Sequence, residues 1–171
     1  MTSHQVAVIT VSDRCARGET EDRSGPTAVR LLQQAGLTDV VTHVVPDGVE
    51  PVRDVLRAAL AAGARLVLTT GGTGITPCDL TPEGTRTVLD YEVPGIADAV
   101  RQRGVATGVS TAALSRGLAG VASAPGGTRA LVVNLPGSSG GVRDGLDVVL
   151  TLWPHVRSQL DGDDHSFPLQ R

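Results

Sequence analysis

The 171-residue chain contains no lysine; all 15 of its Lys-or-Arg positions are arginine. That absence removes Schiff-base chemistry, a lysine general base and the phosphate-binding lysine of a P-loop. Arg-favouring codon usage is the bland explanation, which the abundance of Ala, Gly and Val also suggests. The chemical exclusions hold whatever its origin. Aromatic residues are nearly missing as well, reduced to Tyr91, Trp153 and Phe167. Without stacking platforms, and with a formal net charge of −3, nucleic acid is not an expected partner. The two cysteines, Cys15 and Cys78, form no CxxC pair and no disulfide framework, and are read as bystanders. His4, His43, His155 and His165 are too scattered to match a zinc-ligand spacing. No run approaches the roughly 20 apolar residues of a membrane span. The apolar stretch Val6–Val11 has no basic region before it and ends at Ser12-Asp13-Arg14, too short for a secretory leader. The expectation is a cytoplasmic protein with no membrane partner.

What is present reads as one globular domain. Hydrophobic residues make up 40% of the chain, with 21 Gly and 10 Pro, and the length suits a single core. We expect that domain over residues 1–160. The tail 161–171 (DGDDHSFPLQR) has no apolar period and is expected to be loose. Short apolar runs alternate with helical patterns. Val6–Val11, Val40–Val45, Leu66–Thr70 and Ala130–Leu135 read as strands. Ser24-Gly25-Pro26 opens a helix, with Ser24 as N-cap and Gly36 as stop. A second helix runs from about Pro51 to Ala62, and a third starts at Thr81-Pro82-Glu83. Helix continues on either side of Pro94-Gly95 to about Arg103. A last helix aligns Val142, Leu146, Val149, Leu150 and Trp153. This alternation predicts an α/β fold with right-handed crossovers and a mostly parallel sheet covered on both faces.

In such folds ligands bind beyond the carboxyl ends of the strands. Four strand ends here carry polar or glycine motifs: Ser12-Asp13, Pro46-Asp47-Gly48, Gly71–Gly74 with Asp79, and Pro136-Gly137-Ser138. One such motif is only a turn; four on one edge predict a site. Gly71-Gly72-Thr73-Gly74 suits backbone amides held against an anion. It is neither a Walker A loop, which needs lysine, nor a dinucleotide fingerprint, because Pro77 interrupts the pattern. Gly137–Gly141 fits G-x-S-x-G, but too little chain follows to supply a hydrolase acid and histidine. Asp47 and Asp79 beside the loop suit Mg²⁺, which takes one or two carboxylates plus phosphate oxygens and water. Turn and capping roles are the alternatives for Asp47, Asp79 and Asp13. Arg116, in a small-residue segment without a clear period, could grip a phosphate bidentately or be a surface arginine.

Taken together, TVSD (10–13), DRSGP (22–26), VPDG (45–48), TTGGTGITPCDLTPE (69–83), LSRGLAG (114–120) and LPGS (135–138) resemble the Mog/MoaB family of molybdenum cofactor biosynthesis, which includes gephyrin G domains. The resemblance implies a three-layer α/β/α sandwich, usually trimeric and sometimes hexameric. It further implies Mg²⁺- and ATP-dependent adenylylation of molybdopterin, with a MoeA-type partner inserting molybdate afterwards. By that resemblance Asp47 and Asp79 are the essential carboxylates and hold the metal. Gly71, Gly72, Thr73 and Gly74 cradle phosphate, while Ser12, Asp13, Ser115, Arg116, Pro136, Gly137 and Ser138 line the nucleotide or pterin pockets. Many members carry arginine where this chain has Cys78, which makes Arg116 or Arg14 the candidate substitute. Many also have a proline in the late Pro-Gly loop, absent from Ser138-Ser139-Gly140. A binding or scaffold protein that holds molybdopterin without nucleotide chemistry is the alternative.

Overall fold

The computed structural model describes residues 6–162, so the expected loose tail lies, beyond Gly162, outside the described residues. β1 (Val6–Val11) is buried along its whole length. Its side chains alternate between two cores. Val6 and Val8 meet Leu66, Leu68, Leu131 and Val133 on one face; Ala7, Ile9 and Val11 meet Val67 and Val132 on the other. A strand covered on both faces needs an unbroken apolar run, which this one has. β2 (Val40–Val45), β3 (Leu66–Thr70) and β6 (Arg129–Leu135) lie parallel to it in the order β2-β1-β3-β6. β5 (Ala119–Ser123) then pairs antiparallel with β6 and with the short edge strand β4 (Tyr91–Glu92).

Helices cover both faces. α2 (Ser24–Gln34), α5 (Pro94–Ala106) and α6 (Ser139–Leu160) bring Leu32, Ile96, Val100, Val142, Leu146 and Trp153 to the first core. α3 (Val49–Ala61) brings Val52, Leu56 and Leu60 to the second. α4 (Thr81–Arg86) packs on α3 at Gly84, where a Cβ would lie 2.8 Å from the Val49 carbonyl oxygen. With each buried aliphatic side chain contributing about 1.5–3 kcal/mol, slipping one strand by a residue would exchange its two faces and is strongly disfavoured. The result is the three-layer α/β/α sandwich with a mostly parallel sheet.

The register aligns the strand ends. Val11 pairs with Val45, Thr10 with Thr70, and Thr70 with Leu135. The segments that follow β1, β2, β3 and β6 therefore leave the sheet at one level. Since α2 and α3 cover opposite faces, the crossovers diverge between β1 and β3, and that switch point is where such sheets open a crevice.

Several local expectations need correction. Ser24 is the first residue of α2 and not its N-cap; Arg23 occupies that position and gives no side-chain cap. Asp22 serves instead, accepting from the Gly25 amide at 3.0 Å. The helix expected from Pro51 starts at Val49, since a proline in the first turn loses no intrahelical bond. Helix does not continue up to Pro94: α4 ends at Arg86 and Tyr91–Glu92 is a strand, held by pairing with β5. β5 itself (AGVAS) was not among the expected strands, being too short and small-residued for a period to show.

Candidate active site

The site grows out of the aligned strand ends. After β1, Ser12 caps the single-turn helix α1 (Asp13–Ala16), its Oγ accepting from the Cys15 amide at 3.3 Å. After β2, Asp47 and Asp13 lock the two loops together. The Asp13 amide donates to Asp47 Oδ2 at 2.9 Å, and the Asp47 amide donates to Asp13 Oδ1 at 3.1 Å. After β3 comes the glycine loop. Gly71 (φ +95°) sits where a Cβ would lie 2.4 Å from the Val11 carbonyl oxygen. At Gly72 (φ +63°) a Cβ would lie 2.3 Å from Thr81 Oγ1 and 3.1 Å from Asp47 Oδ1. Only glycine combines that backbone with that closeness. The start of α4 pins the loop: Thr81 Oγ1 donates to the Gly71 carbonyl at 2.9 Å and the Thr81 amide to the Gly72 carbonyl at 3.1 Å. Among the described residues the Gly72 and Thr73 amides donate to no protein acceptor.

Asp79 approaches the loop from the other flank. A Cβ on Gly74 would lie 2.8 Å from Asp79 Oδ2. That oxygen accepts from the Thr76 amide at 2.9 Å and from Thr76 Oγ1 at 2.7 Å. Burial alone would raise the Asp79 pKa. The Thr76 hydrogen bonds, the Gly74 amide and the Arg116 charge outweigh it and hold the carboxyl below its ordinary value. Asp47 thus borders Gly72 and Asp79 borders Gly74, on one short loop.

The late Pro-Gly segment closes the edge. Gly137 comes so near the glycine loop that a Cβ there would lie 3.1 Å from the Gly71 Cα. Ser138 caps α6, its Oγ accepting from the Gly141 amide at 3.0 Å. A cleft of about 230 Å³ opens here, with Thr73, Gly74, Ser115, Pro136 and Ser138 in its wall together with Val100. A second cleft, of about 480 Å³, includes Ser12, Asp22, Ser24, Gly71 and Gly137.

The expected site residues therefore meet on one edge, with one exception in orientation. The Arg116 side chain, 38% exposed, is engaged by Glu83 and the loop carbonyls and lines neither of these clefts. Arg14 is exposed, and Cys78 is exposed beside Asp79. Residues that sequence reading passed over also matter. Asp22 accepts from Thr10 Oγ1 at 2.6 Å and from Ser24 Oγ at 3.1 Å, on the wall of the second cleft. Asn134 is buried on β6. Its Oδ1 accepts from the Leu118 amide at 3.0 Å, and its Nδ2 donates to Thr69 Oγ1 and Thr85 Oγ1, both at 2.9 Å. A lone amide in the apolar run ALVVNL was the available signal.

Two carboxylates supply hard oxygen donors, as Mg²⁺ prefers. No group of three or more His, Cys, Asp or Glu suited to a metal exists among the described residues. An ion at Asp47 and Asp79 would need phosphate and water for its remaining ligands, which is the usual Mg²⁺ arrangement at phosphate sites. The donor set fits. No helix among the described residues is long and apolar enough to cross a membrane.

Fold and edge together define an α/β/α protein with a glycine loop at its switch point, flanked by two aspartates; the loop's free amides are suited to an anion. Comparison with known proteins takes this further: residues 7–156 match the family described as a probable molybdopterin binding domain, and the chain belongs to that family. The solved Mog protein from Mycobacterium ulcerans is 45% identical, with a TM-score of 0.83, covering 92% of this chain and 99% of that one. The molybdopterin adenylyltransferase of Pyrococcus furiosus is 38% identical over 150 residues, 87% of this chain and 86% of the relative. A molybdenum cofactor biosynthesis bifunctional protein from Synechococcus elongatus is 40% identical over 158 residues, 92% of this chain but 48% of the relative. The chain thus spans about half or less of the length of several curated relatives it matches.

Proposed function

We propose that the protein adenylylates molybdopterin in molybdenum cofactor biosynthesis, consuming ATP with Mg²⁺. The observation that carries this reading is the pair of aspartates packed against one glycine loop, Asp47 at Gly72 and Asp79 at Gly74. Unpaired amides at Gly72 and Thr73 are suited to a phosphate, and the carboxylates to its cation. In the reaction an oxygen of the pterin's terminal phosphate attacks the α-phosphorus of ATP. The bond from that phosphorus to the bridging α–β oxygen breaks, and pyrophosphate leaves with the electron pair. Asp47 and Asp79 would hold Mg²⁺, which when bound supplies positive charge to the crowded phosphates. The loop amides hold the phosphate in line, and the walls carrying Ser12, Asp13, Ser115, Pro136, Gly137 and Ser138 seat pterin and nucleotide.

The same reading makes the protein a cytoplasmic homotrimer, or a hexamer, that hands its product to a MoeA-type partner for molybdate insertion. A relative about twice as long and named bifunctional supports a second activity in the same pathway. Incubating the protein with molybdopterin and Mg-ATP tests the enzyme reading, with adenylylated pterin and pyrophosphate as the expected products. Neither product, with pterin still bound, would leave a molybdopterin-binding or scaffold protein.

A further inference from the structure

The segment around Arg116 contributes Ser115 to a cleft wall, yet most of its polar contacts face inward. From α5, Arg101 Nη1 donates to the Ser115 carbonyl at 3.2 Å and to the Gly117 carbonyl at 3.1 Å, the two carbonyls either side of Arg116. Arg101 is itself braced by Asp98 at 2.6 Å. The Arg116 amide donates to the Thr73 carbonyl at 2.7 Å. Its guanidinium then spans the turn that carries Asp79. Nε donates to the Gly74 carbonyl at 2.8 Å, Nη2 to the Asp79 carbonyl, and Nη1 to Glu83 Oε1 at 2.5 Å, with Nη2 also 3.4 Å from Glu83 Oε2. One planar group therefore ties both ends of segment 74–79 to the first turn of α4. The fixed fork of an arginine can do this; the single ammonium of a lysine cannot.

We propose that Arg116 is a positioning residue and not a phosphate ligand: with Glu83 and Arg101 it forms a strap that fixes the Asp79 turn and the glycine loop for nucleotidyl transfer. This rests on the reading of the site as an adenylyltransferase. The strap acts through backbone carbonyls, so it sets where Asp79 and the loop amides sit without touching the transferred group. Glu83, on this account, is a partner of the strap and has no contact with substrate.

The two roles for Arg116 make opposite predictions for Glu83→Gln. If Arg116 gripped phosphate, weakening its hold on Glu83 would free it, leaving kcat unchanged and the KM for ATP equal or lower. The strap predicts the reverse: kcat falls about tenfold while the KM for ATP moves less than about twofold, because misplacement on the ångström scale costs up to about a hundredfold in rate. Arg116→Ala and Arg116→Lys should each lose about a hundredfold in kcat. Adding Glu83→Gln to Arg116→Ala should cost little more, since both break one device. Amide hydrogen exchange over residues 72–79 of the full-length protein gives a readout independent of turnover. It should quicken in Glu83→Gln, while exchange in β1 and β3 stays unchanged. Unaltered kcat and unaltered loop exchange in Glu83→Gln would overturn the strap, as would an Arg116→Ala variant that raised the KM for ATP and kept its kcat. Wild-type protein that makes no adenylylated pterin overturns the function instead, and the exchange comparison still decides whether the strap exists. Should Arg116→Ala not fold, the nearly isosteric, partly exposed Glu83→Gln carries the test alone.

Discussion

Gly72→Ala puts the closeness of the glycine loop to its surroundings to a quantitative test. Two costs add. The backbone at φ +63° is left-handed, which a residue with a Cβ occupies at about 1–2 kcal/mol. The new methyl would also stand 2.3 Å from Thr81 Oγ1, a side chain buried at the start of α4. Thr81 must turn away and give up its 2.9 Å bond to the Gly71 carbonyl, worth about 0.5–1.5 kcal/mol. The expected loss is thus about 1.5–3.5 kcal/mol by urea unfolding with unchanged m-value. Gly36 provides the control. It has φ +85°, and a Cβ there would meet nothing within 4 Å, so Gly36→Ala should show the backbone cost alone. Combining Gly72→Ala with Thr81→Ala removes the clash, and the pair should be less destabilised than the two single losses added together. Because the same methyl would lie 3.1 Å from Asp47 Oδ1, turnover should fall with stability. The reasoning is refuted if Gly72→Ala costs no more than Gly36→Ala, or if the double variant is simply additive.

Asp79→Asn keeps an oxygen for the Thr76 amide but loses the charge; turnover should fall by about a hundredfold or more with the circular dichroism spectrum unchanged, and retained turnover would remove Asp79 from the chemistry. Asn134→Ala strands the buried Leu118 amide and breaks two further bonds, so a loss of about 2–4 kcal/mol is expected in urea; a loss under about half a kcal/mol would mean that the network is dispensable. Asp79 and Glu83 have folded-state pKa values held below their ordinary ones, Glu83 chiefly by its hydrogen bond from Arg116. Depressed carboxyl values mean that their stabilisation is complete at neutral pH and is lost as pH falls through the folded values, on the acid side of the ordinary carboxylate range. The urea midpoint of wild type should therefore exceed that of an Asp79→Asn, Glu83→Gln double variant at pH 7 and converge on it in acid; a gap that widened in acid would contradict the pairing.

How much of this was legible in the chain follows from the range of the interactions involved. Val6–Val11 and Leu66–Thr70 declared themselves because a strand buried on both faces must be apolar throughout, a local property. β4 did not, because Tyr91–Glu92 becomes a strand only by pairing with the distant β5, and β5 did not, because AGVAS is too short and small-residued to show a period even though β6 follows it in a local hairpin. The site divides in the same way. The residue types at the strand ends could be read from spacing, whereas side-chain direction could not. Asp22 gave no signal beyond its motif and is a carboxylate in a cleft wall; Arg116 read as a phosphate grip or a surface arginine and is engaged by its own loop and Glu83. That second difference bears on the missing lysines. In a chain without lysine, an arginine engaged by its own loop leaves, on the proposed reading, backbone amides and an aspartate-held cation to meet a phosphate. Arginine is suited to the structural task because its fork can bridge two carbonyls and a carboxylate at once. On the proposed reading, Arg116 shapes the glycine loop through its backbone carbonyls, and charge compensation falls to an ion held by the aspartates.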